Sequence, residues 1–167
     1  GGRSGNRGRC AQPCRLPYKI VNKKECTEKS GYLLSPKDMC TIEDMNEIIE
    51  SGTSSLKIEG RMKRPEYVAG VVTEYKNAIK NFYNASSSIY TDKDVKKRLL
   101  QLFNREGFSK AYLYGNTGKD MMAYSFPKNT GIKMGRAEND KYVFLYQDIS
   151  LSDGVRIGNK GFTISKI

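Results

Sequence analysis

The chain contains no histidine and no tryptophan. Without histidine, neither a Ser-His-Asp nor a Cys-His catalytic set can be assembled from these 167 residues, and the commonest metal-ligating side chain is missing. Acidic side chains are outnumbered, 18 against 29 Lys and Arg, leaving a formal net charge of +11. No apolar run approaches the ~20 residues of a membrane helix. The polar, arginine-rich N-terminus lacks the apolar segment of a signal peptide. A cytoplasmic protein with no membrane partner is therefore expected. Hydrophobic content of 38% and a mean hydropathy of −0.63 leave a thin core, still sufficient for one ordinary domain or two small ones.

The positive charge is unevenly spread. Residues 1–30 carry eight basic side chains against two acidic ones. A focused positive field favours a polyanion, most often nucleic acid, and RNA is the partner expected here. The alternative is solubility together with compensation of a negatively charged cluster. Arg3, Arg7, Arg9 and Arg15 surround Cys10 and Cys14, with Gly5, Gly8 and Pro13 between them. Thiolates ligate metals, arginines hold phosphate, and Gly8 and Pro13 would keep the two cysteines on a turn whose amides can donate to sulfur.

Cys10, Cys14, Cys26 and Cys40 follow the spacing C-x3-C-x11-C-x13-C. Such clustering in a cytosolic protein suggests zinc or an iron–sulfur cluster. Two disulfides or buried thiols remain open as alternatives. Cys26 lies in a polar stretch that reads as a surface turn and is the weakest candidate ligand.

Residues 16–21 and 31–34 read as two short strands around a charged turn. Thr41 and Asp44 form a capping box for a helix with Ile42, Met45, Ile48 and Ile49 on its apolar face, stopped by Gly52. Residues 55–58 read as a strand ending at Gly60. Pro65 then opens a long helix, with Val68, Val71, Val72, Tyr75, Ile79 and Phe82 at helical spacing. This order describes a βα unit of a parallel sheet, in which functional groups gather where the strand ends. Glu59, Arg61 and Lys63 stand there as catalytic candidates for acid–base work or anion binding, with a solvated ion-pair cluster as the alternative. Ala85–Ser88 reads as a linker, and 92–104 as a helix with Val95, Leu99, Leu102 and Phe103 on one face, ended by Gly107. Strand patterns at 131–137, 141–148, 154–158 and 161–167 suggest part of a small barrel.

From Arg3 to Arg15 the chain resembles the collagenase-like peptidase family, peptidase family U32. Three further blocks carry the same resemblance in order: Leu34–Cys40, Ser55–Lys63 and Pro65–Ala69. The likeness is clear over residues 1–83 and weaker over 130–167. It implies an α+β fragment: the last βα portion of a TIM-like barrel, followed by helices and a small C-terminal β-barrel-like domain. The implied divisions are 1–84, 85–129 and 130–167. Relatives of this kind include RNA hydroxylases acting on tRNA or rRNA, four-iron-cluster proteins, and proteins regarded as proteases. The resemblance implies a 4Fe-4S cluster in the intact protein, with Cys10 and Cys40 as ligands beside two cysteines upstream of this chain, and with Cys14 taking part in some relatives.

Three functions follow as expectations. The first is an iron–sulfur-dependent RNA hydroxylation enzyme, with Arg3, Arg7, Arg9 and Arg15 contacting the nucleic acid. The second is a metal-associated peptidase, and the third a non-catalytic RNA-binding module. A fragment of this kind is expected to be inactive alone. A parallel strand at 55–58 would leave an unsatisfied edge, so self-association is also expected.

Overall fold

The computed structural model describes residues 3–84, 93–115, 118–158 and 160–167. The chain divides into two compact units, Gly1–Gly131 and Ile132–Ile167. The linker expected at Ala85–Ser88 and the helix start expected at Asp92 lie outside the described residues.

In the first unit, β1 (Tyr18–Asn22) and β2 (Thr27–Gly31) pair antiparallel, from Tyr18 opposite Gly31 to Asn22 opposite Thr27. The second strand thus falls on the charged stretch read as a turn, not on 31–34. The reason is local. The Asn22 side chain accepts hydrogen bonds from the Lys24 and Glu25 amides at 3.1 and 3.4 Å. That closes the reversal four residues early, with Cys26 at a left-handed φ of 50°. The segment at 32–35 instead leads inward, where Leu33 and Ser35 are buried.

Next come β3 (Asp38–Met39), a 3-10 turn over Ile42–Asp44, and α1 (Met45–Glu50). The expected capping box does not form. Thr41 makes no side-chain cap; its amide donates to the Tyr75 hydroxyl at 3.0 Å. The Asp44 carboxylate is drawn away to Lys110 and to the Tyr114 hydroxyl. Gly52, at φ 81°, follows the end of α1 as read.

Residues 53–60 form no strand. A parallel strand needs a ladder partner, and among the described residues none lies beside this segment. Leu56 and Ile58 pack against the core from an irregular loop. The strand of the expected βα unit is therefore not formed, and with it goes the open edge from which self-association was expected.

The helices hold the core. α2 (Pro65–Tyr83) begins with proline at its first turn, where no amide hydrogen bond is forfeited. It buries Val71 and Ala78. Val68, expected in the core, stays 37% exposed and lies over Gly60, where any Cβ would meet its methyl at 2.7 Å. α3 (Lys93–Leu102) contributes Val95 and Leu99, which pack with Cys40, Ile42 and Met45. Arg98 grips the buried Glu74 of α2 through two hydrogen bonds of 2.7 and 3.2 Å. Gly70 lets the helices meet closely, since a Cβ there would stand 2.5 Å from Leu102.

Beyond α3 the chain turns on Asn104, which is 1% exposed. Its amide donates to the Leu100 and Gly131 carbonyls at 2.8 and 2.9 Å, while its carbonyl accepts from the Gly107 amide at 2.8 Å and from the Thr130 hydroxyl. This reversal delivers β4 (Phe108–Ser109), which pairs parallel with β3.

In the second unit, β5 (Gly135–Ala137) pairs with β6 (Val143–Leu145), and β7 (Gly154–Ile157) with β8 (Lys160–Thr163). No ladder joins the two hairpins among the described residues. A barrel requires each strand to be paired on both edges. No closed barrel forms among the described residues, and their fold is mixed α and β with four two-stranded sheets.

Leu99→Ala should cost ~2–5 kcal/mol by opening a cavity between α2 and α3. Asn104→Ala should cost ~1–3 kcal/mol by leaving buried backbone groups unpaired. Urea unfolding measures both, with exposed Lys97→Ala as a control expected within ~0.5 kcal/mol of the unaltered chain.

Candidate functional site

The arginine–cysteine loop is built as its residue types suggest. A 3-10 turn at Gly5–Arg7 ends in Gly8 at φ 73°. The Arg61 guanidinium lies against that glycine, where a Cβ would be only 2.9 Å from it. The Gln12 amide donates to Cys10 Sγ at 3.3 Å, so a backbone amide does reach sulfur. A second 3-10 turn, Pro13–Arg15, carries Cys14.

Cys10, Cys14 and Cys40 line one open cleft of about 1020 Å³, together with Arg15, Glu59, Arg61 and Lys63. Residues from three separated sequence blocks thus meet in one place. Cys10 is exposed, Cys14 half-buried and Cys40 buried; Cys26 is exposed at the β1–β2 turn and is not among the cleft residues. Cys40 is anchored by its amide, which donates to the Ser109 carbonyl at 3.0 Å. Burial pushes its thiol pKa up, against the opposing influence of the Ile42 amide and the Tyr75 hydroxyl. Burial likewise pushes the Tyr75 hydroxyl up to about 12. Among the described residues, no group of three or more His, Cys, Asp or Glu side chains converges to hold a metal ion. The four cysteines thus do not converge on one point in this structure: three line the cleft and Cys26 does not.

The arginines separate into two kinds. Arg3, Arg7 and Arg9 are exposed. Arg15 is half-buried, and its Nη1 donates to Ser35 Oγ and the Pro36 carbonyl, both at 2.6 Å. Burial and neighbouring Arg105 lower its pKa. Glu59 and Arg61 are exposed, whereas Lys63 is half-buried. The Lys63 amide closes a turn to the Gly60 carbonyl at 2.8 Å.

The structure adds residues to the candidate site that sequence reasoning missed. Arg105 Nη1 donates to Asp38 Oδ1 at 2.5 Å, and its Nε donates to the Pro127 carbonyl at 3.0 Å. Asp38 Oδ2 is buried and has no hydrogen-bond partner among the described residues. The Lys63 ammonium sits directly over the Phe103 ring, which Arg105 also approaches at 4.7 Å. Three cations and one carboxylate thus share one corner of the cleft. Burial, then repulsion from Arg105, lowers the Lys63 ammonium to about 8. Asp38 lies within the Leu34–Cys40 block, so membership of that block was a signal. Nothing local ties Arg105 or Phe103 to Lys63.

With this geometry described, the relatives can be placed. The sequence profile of Peptidase family U32 matches residues 1–123. The chain belongs to that family. An uncharacterized protease of Methanocaldococcus jannaschii is 33% identical, over 99% of this chain and 42% of its own length. A collagenase of Porphyromonas gingivalis is 38% identical, over 67% of this chain and 28% of its own. The tRNA hydroxylation protein P1 of Bacillus subtilis is 32% identical, over 87% of this chain and 37% of its own. The chain spans less than half the length of each of these relatives. No solved structure matches it significantly. No helix among the described residues is long and apolar enough to cross a membrane.

Because Lys63 is lowered from 10.5 to about 8, the unfolded chain binds more protons between those values, and this residue's contribution to stability rises with pH there. Below about 8 the penalty is fully present. Lys63→Met should therefore stabilise the fold at pH 7 by roughly 1 kcal/mol after allowance for solvent screening. The gain should shrink when urea unfolding is repeated at about pH 9.5. An equal gain at both pH values would contradict the assignment.

Proposed function

We propose that the intact protein is an iron–sulfur-dependent enzyme that hydroxylates an RNA base, in tRNA or rRNA. One observation carries this reading: three of the four cysteines share a cleft with Arg15, Arg61 and Lys63. Thiols and cations in one open groove suit a metal cluster acting beside a polyanion. The net charge of +11 and the tRNA hydroxylation protein among the relatives support the same choice.

In this reading Cys10 and Cys40 are cluster ligands, with Cys14 as the alternative, and the remaining thiolates come from outside residues 1–167. When bound, such a cluster would supply one-electron chemistry. Exposed Arg3, Arg7 and Arg9 attract the RNA backbone. Arg61, resting on Gly8, ties the cysteine loop to the Gly60–Lys63 turn. Lys63, half-buried, and Glu59 are the candidate groups for holding the substrate or moving a proton. A peptidase is the second reading, favoured by the 38% identity to a collagenase. It must operate without imidazole from these 167 residues.

The intact protein, purified without oxygen, should contain iron and show a cluster's visible absorption. Cys10→Ala and Cys40→Ala should each lower iron content severalfold. RNA from a deletion strain should lose a hydroxylated base by mass spectrometry. An iron-free protein that cleaves gelatin, with unaltered cellular RNA, would overturn the reading in favour of the peptidase.

A further inference from the structure

Thr41 has the chemistry of a helix cap and is buried, yet its hydroxyl caps no helix end. Its polar groups turn to α2 instead. The Thr41 amide donates to the Tyr75 hydroxyl at 3.0 Å, and Thr41 Oγ1 stands 3.4 Å from the same oxygen. The Tyr75 ring packs against the core cluster that contains Cys40, Ile42, Met45 and Val71. The phenol is thereby fixed in the wall of the cleft, which Tyr75 and Cys40 both line. From there its hydroxyl donates to Cys40 Sγ at 3.9 Å.

The partners of this phenol decide where its proton goes. A phenol donates one hydrogen bond and accepts others through the same oxygen. The Thr41 amide fills one acceptor position, and the Thr41 hydroxyl can donate as well, which leaves the Tyr75 proton for sulfur. A neutral thiol is a weak acceptor, in keeping with a contact as long as 3.9 Å. A metal-bound thiolate carries negative charge and takes a shorter, stronger bond from the same donor. Both sulfurs read above as ligands already accept the amide two residues further on: Gln12 to Cys10 at 3.3 Å, and Ile42 to Cys40. Cys40 thus has two donors of different origin, one set by its own backbone turn and one brought from α2.

We propose that Tyr75 is a positioning residue for the metal centre: its hydroxyl, aimed by Thr41, donates to the Cys40 sulfur and sets the reduction potential of the centre that Cys40 ligates. A hydrogen bond to a ligand sulfur offsets negative charge, and so favours the reduced state over the oxidised one. The inference rests on the iron–sulfur reading above and adds to it the side chain that tunes the centre.

The test uses the intact protein purified without oxygen, with iron analysis and a redox titration followed by electron paramagnetic resonance. Tyr75→Phe removes one oxygen and keeps the ring, so iron per chain and the circular dichroism spectrum should match those of the unaltered protein. Its midpoint potential should fall. At the unaltered protein's midpoint, the ratio of oxidised to reduced centre should rise roughly three- to tenfold, the effect of one lost hydrogen bond. Tyr67→Phe removes another hydroxyl from the wall of the same cleft and should leave the potential where it was. A merely structural Tyr75 would change the urea midpoint and not the potential. Full iron content with an unmoved potential in Tyr75→Phe overturns this inference and leaves the iron–sulfur reading standing. An equal fall in Tyr67→Phe does the same. An unaltered protein that holds no iron overturns both.

Discussion

The Asp38–Arg105 ion pair joins two stretches of chain otherwise linked by one short ladder. Asp38 follows the β1–β2 hairpin, and Arg105 follows α3. The parallel ladder between β3 and β4 has only two residues in each strand, too short to fix their approach alone. Both side chains are largely removed from water, at 14% and 20% exposure. A pair in that setting is not a strong source of net stability, but leaving one partner alone would cost about 3–5 kcal/mol. Its main effect is positional. It seats Arg105 beside Phe103 and Pro127, and it leaves the second Asp38 oxygen unpaired.

That arrangement explains why the candidate site is poorly satisfied by itself. One carboxylate cannot balance Arg15, Lys63 and Arg105, and burial raises the penalty of keeping them charged. The result is a lowered Lys63 and a lowered Arg15. Local conflict of this kind marks binding sites, whose unfavourable charge a ligand relieves. The core between α2, α3 and the turn at Ile42–Asp44 borders this cleft and shares Cys40, Val71 and Leu99 with its wall. The Arg98–Glu74 contact ties α2 to α3 away from the charged corner.

Much of the helical part was legible in the residues. Pro65 and the spacing of Val71, Tyr75 and Ile79 marked α2, and Val95 and Leu99 marked α3. Each helix satisfies its backbone locally, so a one-dimensional pattern suffices. The cysteine loop was legible for a related reason: Pro13 fixes its own φ, and Gly8 permits the left-handed φ of 73° that ends the first turn. Strands fared differently. Residues 55–58 alternate plausibly but have no neighbour with which to pair. The strand read at 31–34 lost to β2 because the Asn22 side chain closed the turn earlier. The barrel read from residues 130–167 requires ladders between hairpins, and none forms among the described residues. Thr41 and Asp44 have capping chemistry, yet Tyr75, Lys110 and Tyr114 compete for them from distant positions.

The sequence by itself determined the two long helices, the turn geometry around Cys10 and Cys14, the excess of positive charge and the impossibility of imidazole chemistry within the chain. These follow from residue type and short-range spacing. Only the tertiary structure decided that Cys10, Cys14 and Cys40 share a cleft, that Arg105 joins Arg15 and Lys63 there, and that one oxygen of Asp38 is left over. Such facts depend on approach across tens of residues, and burial, repulsion and hydrogen-bond satisfaction act on distance in space rather than on position along the chain.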